Sequence, residues 1–287
     1  MTPRWENVDA RKIAELRRRM PRAFARPLAE QARIWAVWSL GVILTFYCLW
    51  RFEFSPQRLV HGAGDLGLIV RQLFPPVIGE HPGEILWALL ETIAMAFLGT
   101  LLAAIVSVPI AFLAAKNTFR FRLPRFGVRR FLDCLRGVDQ LIWALIFVRA
   151  VGLGPLAGIM AIFISDIGTL SKLFSESIEN IDRKPVEGVR ASGATSIQTL
   201  RFGVVSQVLP MILSSTLYLF ESNVRSATIL GIVGAGGIGF QLSDRIRAYN
   251  WEETSFIVIL ILITVALIDW VSGKLRTMLI GQPAIAK

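Results

Sequence analysis

Six stretches of this chain are apolar for about the length a bilayer demands, and that recurrence constrains the fold more than any other feature. A hydrocarbon core of about 30 Å takes about 20 helical residues at 1.5 Å each. Lipid offers no partner to an unpaired amide, so each run must close its own hydrogen bonds as a helix. The runs are 34–50, 85–115, 135–151, 153–170, 204–232 and 256–271. The first and last read as clean spans, the second is overlong and Ala-rich, and the other three carry polar groups. Only a tight turn separates the third from the fourth. Composition agrees: 54% of the 287 residues are hydrophobic and 18% charged, against roughly 25% charged in soluble domains.

The charge between the runs orients them. Lys/Arg against Asp/Glu counts 9 to 4 in residues 1–33, 3 to 4 in 51–84, 7 to 1 in 116–136, 5 to 4 in 171–203, 2 to 3 in 240–256 and 3 to 0 in 274–287. Basic segments alternate with neutral or acidic ones, and basic segments stay in the cytoplasm. Six spans with both termini cytoplasmic follow. The net charge of +10 is then mostly topology; no basic groove with interleaved aromatics points to nucleic acid. Residues 1–33 read as a basic arm, either resting on anionic headgroups through Arg11, Lys12, Arg17–Arg19 and Arg22 or serving as a solvated leader. No removable signal is expected, because the first apolar run begins far from Met1 with no small-residue cleavage site after it. Residues 51–84 read as an outside loop with a short interfacial helix near 66–74.

Several chemistries lack their raw material. Cys48 and Cys134 lie in apolar surroundings without a CxxC or Cys/His cluster, and His61 and His81 are the only histidines. No G-x-x-x-x-G-K-[ST] phosphate loop occurs, so any ATP would be hydrolysed by another chain. G-A-G-G-I-G (234–239) matches G-x-G-x-x-G in letters, but it follows a long apolar run where the dinucleotide motif needs a strand. It reads instead as a non-helical stretch near the outer end of the fifth span, facing protein or a pathway.

The segment IENIDRKPVEGVRASGATSIQTLRFGVVSQVLP (178–210) reads as helix, turn, helix at the inner face. Pro185 fits a first helical position, Glu187 favours the positive helix end, and Gly193 suits a left-handed cap. Small residues at Gly188, Ala191, Ser192 and Ala194 leave a face on which another protein can sit closely. Glu187 and Gly193, six apart and followed by Leu209-Pro210, resemble the EAA loop of ABC-importer permeases, whose coupling helix docks on the ATPase subunit. Gly188 and Val189 replace the family's two alanines. The expected Leu-Pro falls on Val205-Ser206, about one turn early, which leaves the start of the fifth span open.

The text Q-V-L-P (207–210), Y-L-F-E-S-N-V-R-S-A-T-I-L-G-I-V-G-A-G-G-I-G (218–239), G-L-G-P-L-A-G (152–158) and I-S-D-I-G (164–168) is similar to the permease subunit of phosphonate-type ABC importers, a family that includes phosphite and hypophosphite importers. The resemblance spans about 88–271. It implies an all-α membrane protein with six transmembrane helices and the type I ABC-importer permease fold. The domains would be 1–33, a cytoplasmic arm; 34–84, first span and outside loop; 85–273, the ABC transmembrane type-1 domain; and 274–287, a cytoplasmic tail. It implies a homodimer in the cell inner membrane, two ATPase subunits docking on Glu187, Gly188, Ala191, Gly193 and Ala194, and a substrate-binding protein outside. ATP and Mg would belong to the ATPase, with no cofactor and no catalytic residue in this chain.

Charges inside the runs mark a pathway or a pair. Glu221 and Arg225, four apart on one helical face, form a candidate ion pair. Arg225 with Ser222, Asn223 and Ser226 forms a candidate path for an anion, since a guanidinium fork suits phosphonate oxygens. Glu91 and Asp166 read as helix–helix hydrogen-bonding groups; Asp139 and Arg149 lie near span ends. The rival reading is an ion-coupled secondary carrier of a small anion, which would need no docking loop.

Overall fold

The computed structural model describes residues 19, 28–52, 54–117 and 122–280, and the regular structure among them is helical. In chain order the helices are α1 (Leu28–Arg51), α2 (Pro56–Gln72), α3 (Pro82–Ala114), α4 (Arg122–Gly137), α5 (Gln140–Val151), α6 (Pro155–Glu179), α7 (Arg183–Ala191), a continuous run α8 (Ser196–Ala235), α9 (Gly237–Arg247) and α10 (Trp251–Ile280). Five of these, α1, α3, α6, α8 and α10, are long and apolar enough to cross a membrane. Most of the arm expected at 1–33, and residues 281–287 of the expected tail, lie outside the described residues.

The chain divides into two compact units, Met1–Leu68 and Ile69–Lys287. In the first, α1 presents apolar side chains around its circumference, Trp35, Trp38, Ile43 and Phe46 among them, as a lipid-facing span must. α2 extends the expected interfacial helix back to Pro56.

The second unit is built on the pair α3 and α6. The buried face of α3 repeats small residues at helical spacing: Ala96, Gly99, Ala103, Ser107 and Ala111. α6 answers with Ala157, Gly158, Ala161, Gly168 and Ser171. Hydrocarbon solvates leucine as well as protein does, so helices in lipid associate by close packing of such residues. A Cβ on Gly99 would stand 2.7 Å from Ile162 Cβ, so the backbones approach closely only because none is there. Both helices open on a proline, Pro82 and Pro155, where the missing N–H costs nothing.

The third expected span, 135–151, is not one helix. Residues 135–137 end α4, and α5 has only 12 residues, about 18 Å at 1.5 Å each. The break falls at Asp139, whose carboxylate accepts from Leu141 N at 2.8 Å and so caps α5. The two short helices share the work along α6. Arg129 pairs with Glu179, Lys172 lies 3.4 Å from Asp133, and a Cβ on Gly168 would meet Arg136 N at 2.9 Å. α4 therefore runs antiparallel along the C-terminal half of α6, and α5 continues beside its N-terminal half.

The fifth span starts earlier than residue 204. Helix is continuous from Ser196, with a wide π-helical stretch at Thr199–Val205, and Pro210 lies inside the helix. Pro210 thus lies within a helix that it does not begin. The other expected spans differ from the structure mainly at their ends.

Candidate functional site

Three polar constellations lie along α8, one at its N-terminal base, one at its middle and one beside α10, and a fourth closes its C-terminal end.

At the base, Asp182 caps α7 by accepting from Lys184 N at 3.0 Å. Pro185 is accordingly the third helical residue and not the first, still within the turn where no intrahelical donor is needed. Gly193 holds φ of +81°, a left-handed turn open to glycine. Thr195 and Gln198 close a reciprocal capping box that starts the next helix. Val186 and Val189 turn inward, while Glu187, Gly188, Ala191 and Gly193 are exposed and Ala194 is half-buried. Gln207 clamps this unit to α8: its Oε1 accepts from Asp182 N at 3.1 Å, and its Nε2 donates to Asp182 O at 3.2 Å and to Gly203 O at 2.6 Å. A Cβ on Gly203 would stand 3.1 Å from Val186 Cα. The sequence reading quoted Gln207 only for its resemblance; the clamp itself joins residues 25 apart and leaves no local signal.

At mid-depth, Asn223 is buried. Its Nδ2 donates to Asp166 Oδ2 at 2.5 Å and to Thr100 Oγ1 at 2.7 Å, and its Oδ1 accepts from Gln140 Nε2 at 3.3 Å. Four helices, α3, α5, α6 and α8, meet at this one side chain. Asn223, a candidate path residue in the sequence, has its amide committed to these hydrogen bonds, where an unmade one would be costly. Ser222 and Ser226 are half-buried on the flanks.

Beside α10, Glu221 and Arg225 belong to a set of four. Arg225 Nη2 lies 3.5 Å from Glu221 Oε1, and Arg225 Nη1 donates to both oxygens of Asp269 at 3.2 and 3.1 Å. Arg276 Nη2 donates to Glu221 Oε2 at 2.6 Å. Asp269 and Arg276 escaped the sequence reading. Their spacing of seven, two turns on one face, was the available signal. Arg225 and Asp269 keep 46% and 40% of their side-chain surfaces exposed, while Glu221 keeps 12%.

At the far end, α8 closes in a second wide stretch, Gly231–Ala235, that kinks at Gly234, where φ is +104°, and α9 starts at once. Gly236 and Gly237 have φ of +80° and +71°, so the reversal is available to glycine alone. Glu91 Oε2 accepts from Gly237 N at 3.2 Å and Thr92 Oγ1 from Ile238 N at 2.8 Å. The literal G-x-G-x-x-G thus opens a helix, but helix and not strand precedes it, and the donors are spent on α3.

Comparison with known proteins agrees with this architecture. Residues 107–279 match the family model described as "Binding-protein-dependent transport system inner membrane component". The chain is 39% identical over 239 residues to the phosphite transport system permease protein PtxC of Stutzerimonas stutzeri, covering 82% of this chain and 85% of that one. It is 36% identical over 236 residues to the phosphate-import permease protein PhnE of Mycolicibacterium smegmatis, covering 82% and 44%. Among solved structures it resembles the inward-facing MetNI methionine ABC transporter, with a TM-score of 0.59 and 19% identity, covering 70% of this chain and 99% of that one.

Proposed function

Because the chain belongs to the inner membrane components of binding-protein-dependent transport systems, we propose that it is the subunit through which phosphite, a phosphonate or a related phosphorus oxyanion crosses the membrane. The relatives named for phosphite and phosphate import support that substrate class. The carrying observation is the pair Arg225–Asp269, with nearly half of each side chain uncovered on a helix of membrane-spanning length. Hydrocarbon does not tolerate such groups, so this face belongs to water or to protein. A second copy of the chain, laid against it, encloses a path between the two.

The same reading assigns the remaining parts. Both termini and α7 are cytoplasmic. Two ATPase subunits, which hold the ATP and Mg, dock on the exposed face of Glu187, Gly188, Ala191, Gly193 and Ala194. A substrate-binding protein delivers the anion from outside, where α9 and the loop before α3 lie. This chain does no covalent chemistry. Its Arg225 exchanges Asp269 for the oxyanion, presenting a fork of donors that matches two oxygens at once. Glu221 and Asp269 keep that site weak by competing for the same guanidinium, which lets the anion leave.

The test is reconstitution of the chain with its ATPase and binding protein in liposomes, followed by uptake of labelled phosphite and methylphosphonate. ATP-dependent uptake, competed by other phosphorus oxyanions and not by sulfate, is the expected result. Uptake that follows an ion gradient without the ATPase would refute the reading in favour of a secondary carrier.

A further inference from the structure

α7 is attached at both ends. Toward its C-terminus the chain runs into α8, whose Gln207 holds Asp182. Toward its N-terminus, only Asn180, Ile181 and Asp182 separate it from α6. That link is not slack, because Ile181 packs on the core cluster that contains Ala115, Ile178 and Val208. Whatever fixes the end of α6 therefore fixes the start of α7.

α6 ends on an acid. Glu179 is its last residue, where the negative end of the helix dipole disfavours a carboxylate. A set of donors from elsewhere in the chain offsets that cost. Glu179 Oε1 accepts from the backbone N of Lys116 at 2.8 Å and from Arg129 Nη2, and its Oε2 lies 3.4 Å from Lys116 Nζ. Arg129 Nε donates to Ala114 O at 3.0 Å, at the last residue of α3. Asn117 Nδ2 donates to Glu179 O at 3.0 Å and to Ile178 O at 3.4 Å. Terminal carbonyls of α3 and α6, which no intrahelical donor can reach, are thus satisfied by side chains that bind the two ends together. Two turns earlier on α6, Lys172 lies 3.4 Å from Asp133, which follows Arg129 by one turn of α4. α4 is therefore tied to α6 twice, and at Glu179 the end of α3 joins them. The side chain of Glu179 keeps only 16% of its surface exposed, so solvent screens these pairs only in part.

A helix stop needs one cap, and a surface ion pair needs one partner. A carboxylate that takes donors from two other segments, just before the helix that meets the ATPase, has the form of a junction. We propose that Glu179 is a positioning residue for coupling. It fixes the ends of α3, α4 and α6 as one body, so α7 delivers its displacement to that body across the three-residue link as well as to α8 through Gln207. The proposal rests on the reading of α7 as the ATPase-docking helix.

Glu179→Gln is the informative change, since it keeps the shape and the acceptor for Lys116 N but removes both ion pairs. The first measurement is hydrogen–deuterium exchange of the purified full chain in micelles. Segments 112–117 and 180–191 should lose protection together, while 96–108 in the middle of α3 keeps its own. This measurement needs neither partner nor substrate. The second is reconstitution with the ATPase and the binding protein. Maximal stimulation of ATP hydrolysis and uptake should fall together by roughly 2- to 30-fold, the span for residues along a coupling network. The basal rate and the binding-protein concentration for half-maximal stimulation should stay at wild-type values, whereas a general loss of structure would lower the basal rate too. Glu179→Asp, which keeps the charge, should recover most of the loss. Should Glu179→Gln fail to assemble, Arg129→Lys keeps a cation beside Glu179 but lacks the fork that also reaches Ala114 O, and the same fall is expected. Unchanged protection at 180–191, or normal stimulation in a folded variant, would overturn the proposal. Failure of the underlying reading looks different: the wild-type chain itself would give no stimulation, and the coupling role would fall with it.

Discussion

Glu221 sits between two guanidiniums, and the structure says which one it needs. Arg276 lies 2.6 Å away and Arg225 3.5 Å away. At an effective dielectric constant of about 20 the gross attractions are about 6 and about 5 kcal/mol, so distance alone hardly separates them. Exposure and alternatives do. Arg225 is 46% exposed and holds Asp269 in both oxygens; Arg276 is 30% exposed, and its Nε is already buried without a partner. Neutralising Glu221 strips Arg276 of its only ion pair among the described residues but leaves Arg225 one. The partly buried pair should therefore couple by about 2 kcal/mol, below the 3–5 kcal/mol of a fully buried one, and the exposed pair by less than about 1 kcal/mol. The experiment is a pair of double-mutant cycles, Glu221→Gln with Arg276→Gln and Glu221→Gln with Arg225→Gln, read by reversible SDS unfolding in mixed micelles. A coupling of about 2 kcal/mol is roughly a 30-fold change in the unfolding constant. Equal couplings, or a larger one to Arg225, would refute the ranking by burial.

Two further outcomes are expected. Gly193→Trp places a bulky side chain on the exposed turn where nothing lies within 4 Å of a Cβ; with φ at +81° the strain is about 1–2 kcal/mol, so the protein should still insert while stimulation of the ATPase by the loaded binding protein is lost, and normal stimulation would remove α7 from the docking role. Cysteines introduced in 60–80 and 243–252 should react with an impermeant maleimide from outside and those in 123–130 and 180–195 should not; labelling of 180–195 from outside would overturn the orientation.

What was legible in the sequence is what local spacing controls. The small residues at 96, 99, 103, 107 and 111 fall on one helical face, and that face is the one α3 buries against α6. The α7 turn was legible through Gly193, a left-handed cap; Asp182, Thr195 and Gln198, cap residues in cap positions, were passed over, and Pro185 was taken for the first helical residue. The break in the third span was hidden because Leu135 on one side and Leu141 onward on the other read as one apolar window; the signal was Asp139, a helix N-cap, read as a group near a span end. The start of α8 was hidden for the opposite reason. Pro210 reads as a boundary, but in a packed membrane helix neighbours and a wide turn re-satisfy the backbone that proline frees. Asp269 was passed over inside the run that read as clean. The role of Asn223 could not be read at all, since its partners Thr100, Gln140 and Asp166 stand 123, 83 and 57 residues away.

These placements limit how α8 can move. Its 40 residues extend about 60 Å at 1.5 Å each, from the capping box at Ser196 past the clamp at Gln207 to the glycines before α9. The middle is pinned, by Asn223 to three other helices and by Glu221 and Arg225 to α10. The two π-helical stretches, Thr199–Val205 and Gly231–Ala235, bracket that pinned middle. A displacement of α7 enters α8 directly, because Gln207 and Gly203 leave no slack between them. The backbone change must then be absorbed where the hydrogen-bonding is already irregular, below the middle at 199–205 or above it at 231–237. Above it, α9 is held to α3 by two contacts, Glu91 to Gly237 and Thr92 to Ile238. An importer that alternates must break and remake a closure at each face. In this chain the two ends of α8 supply the candidates: at one, a pair of hydrogen bonds beside Gly234, Gly236 and Gly237, all at positive φ; at the other, the tie between α7 and the foot of α8.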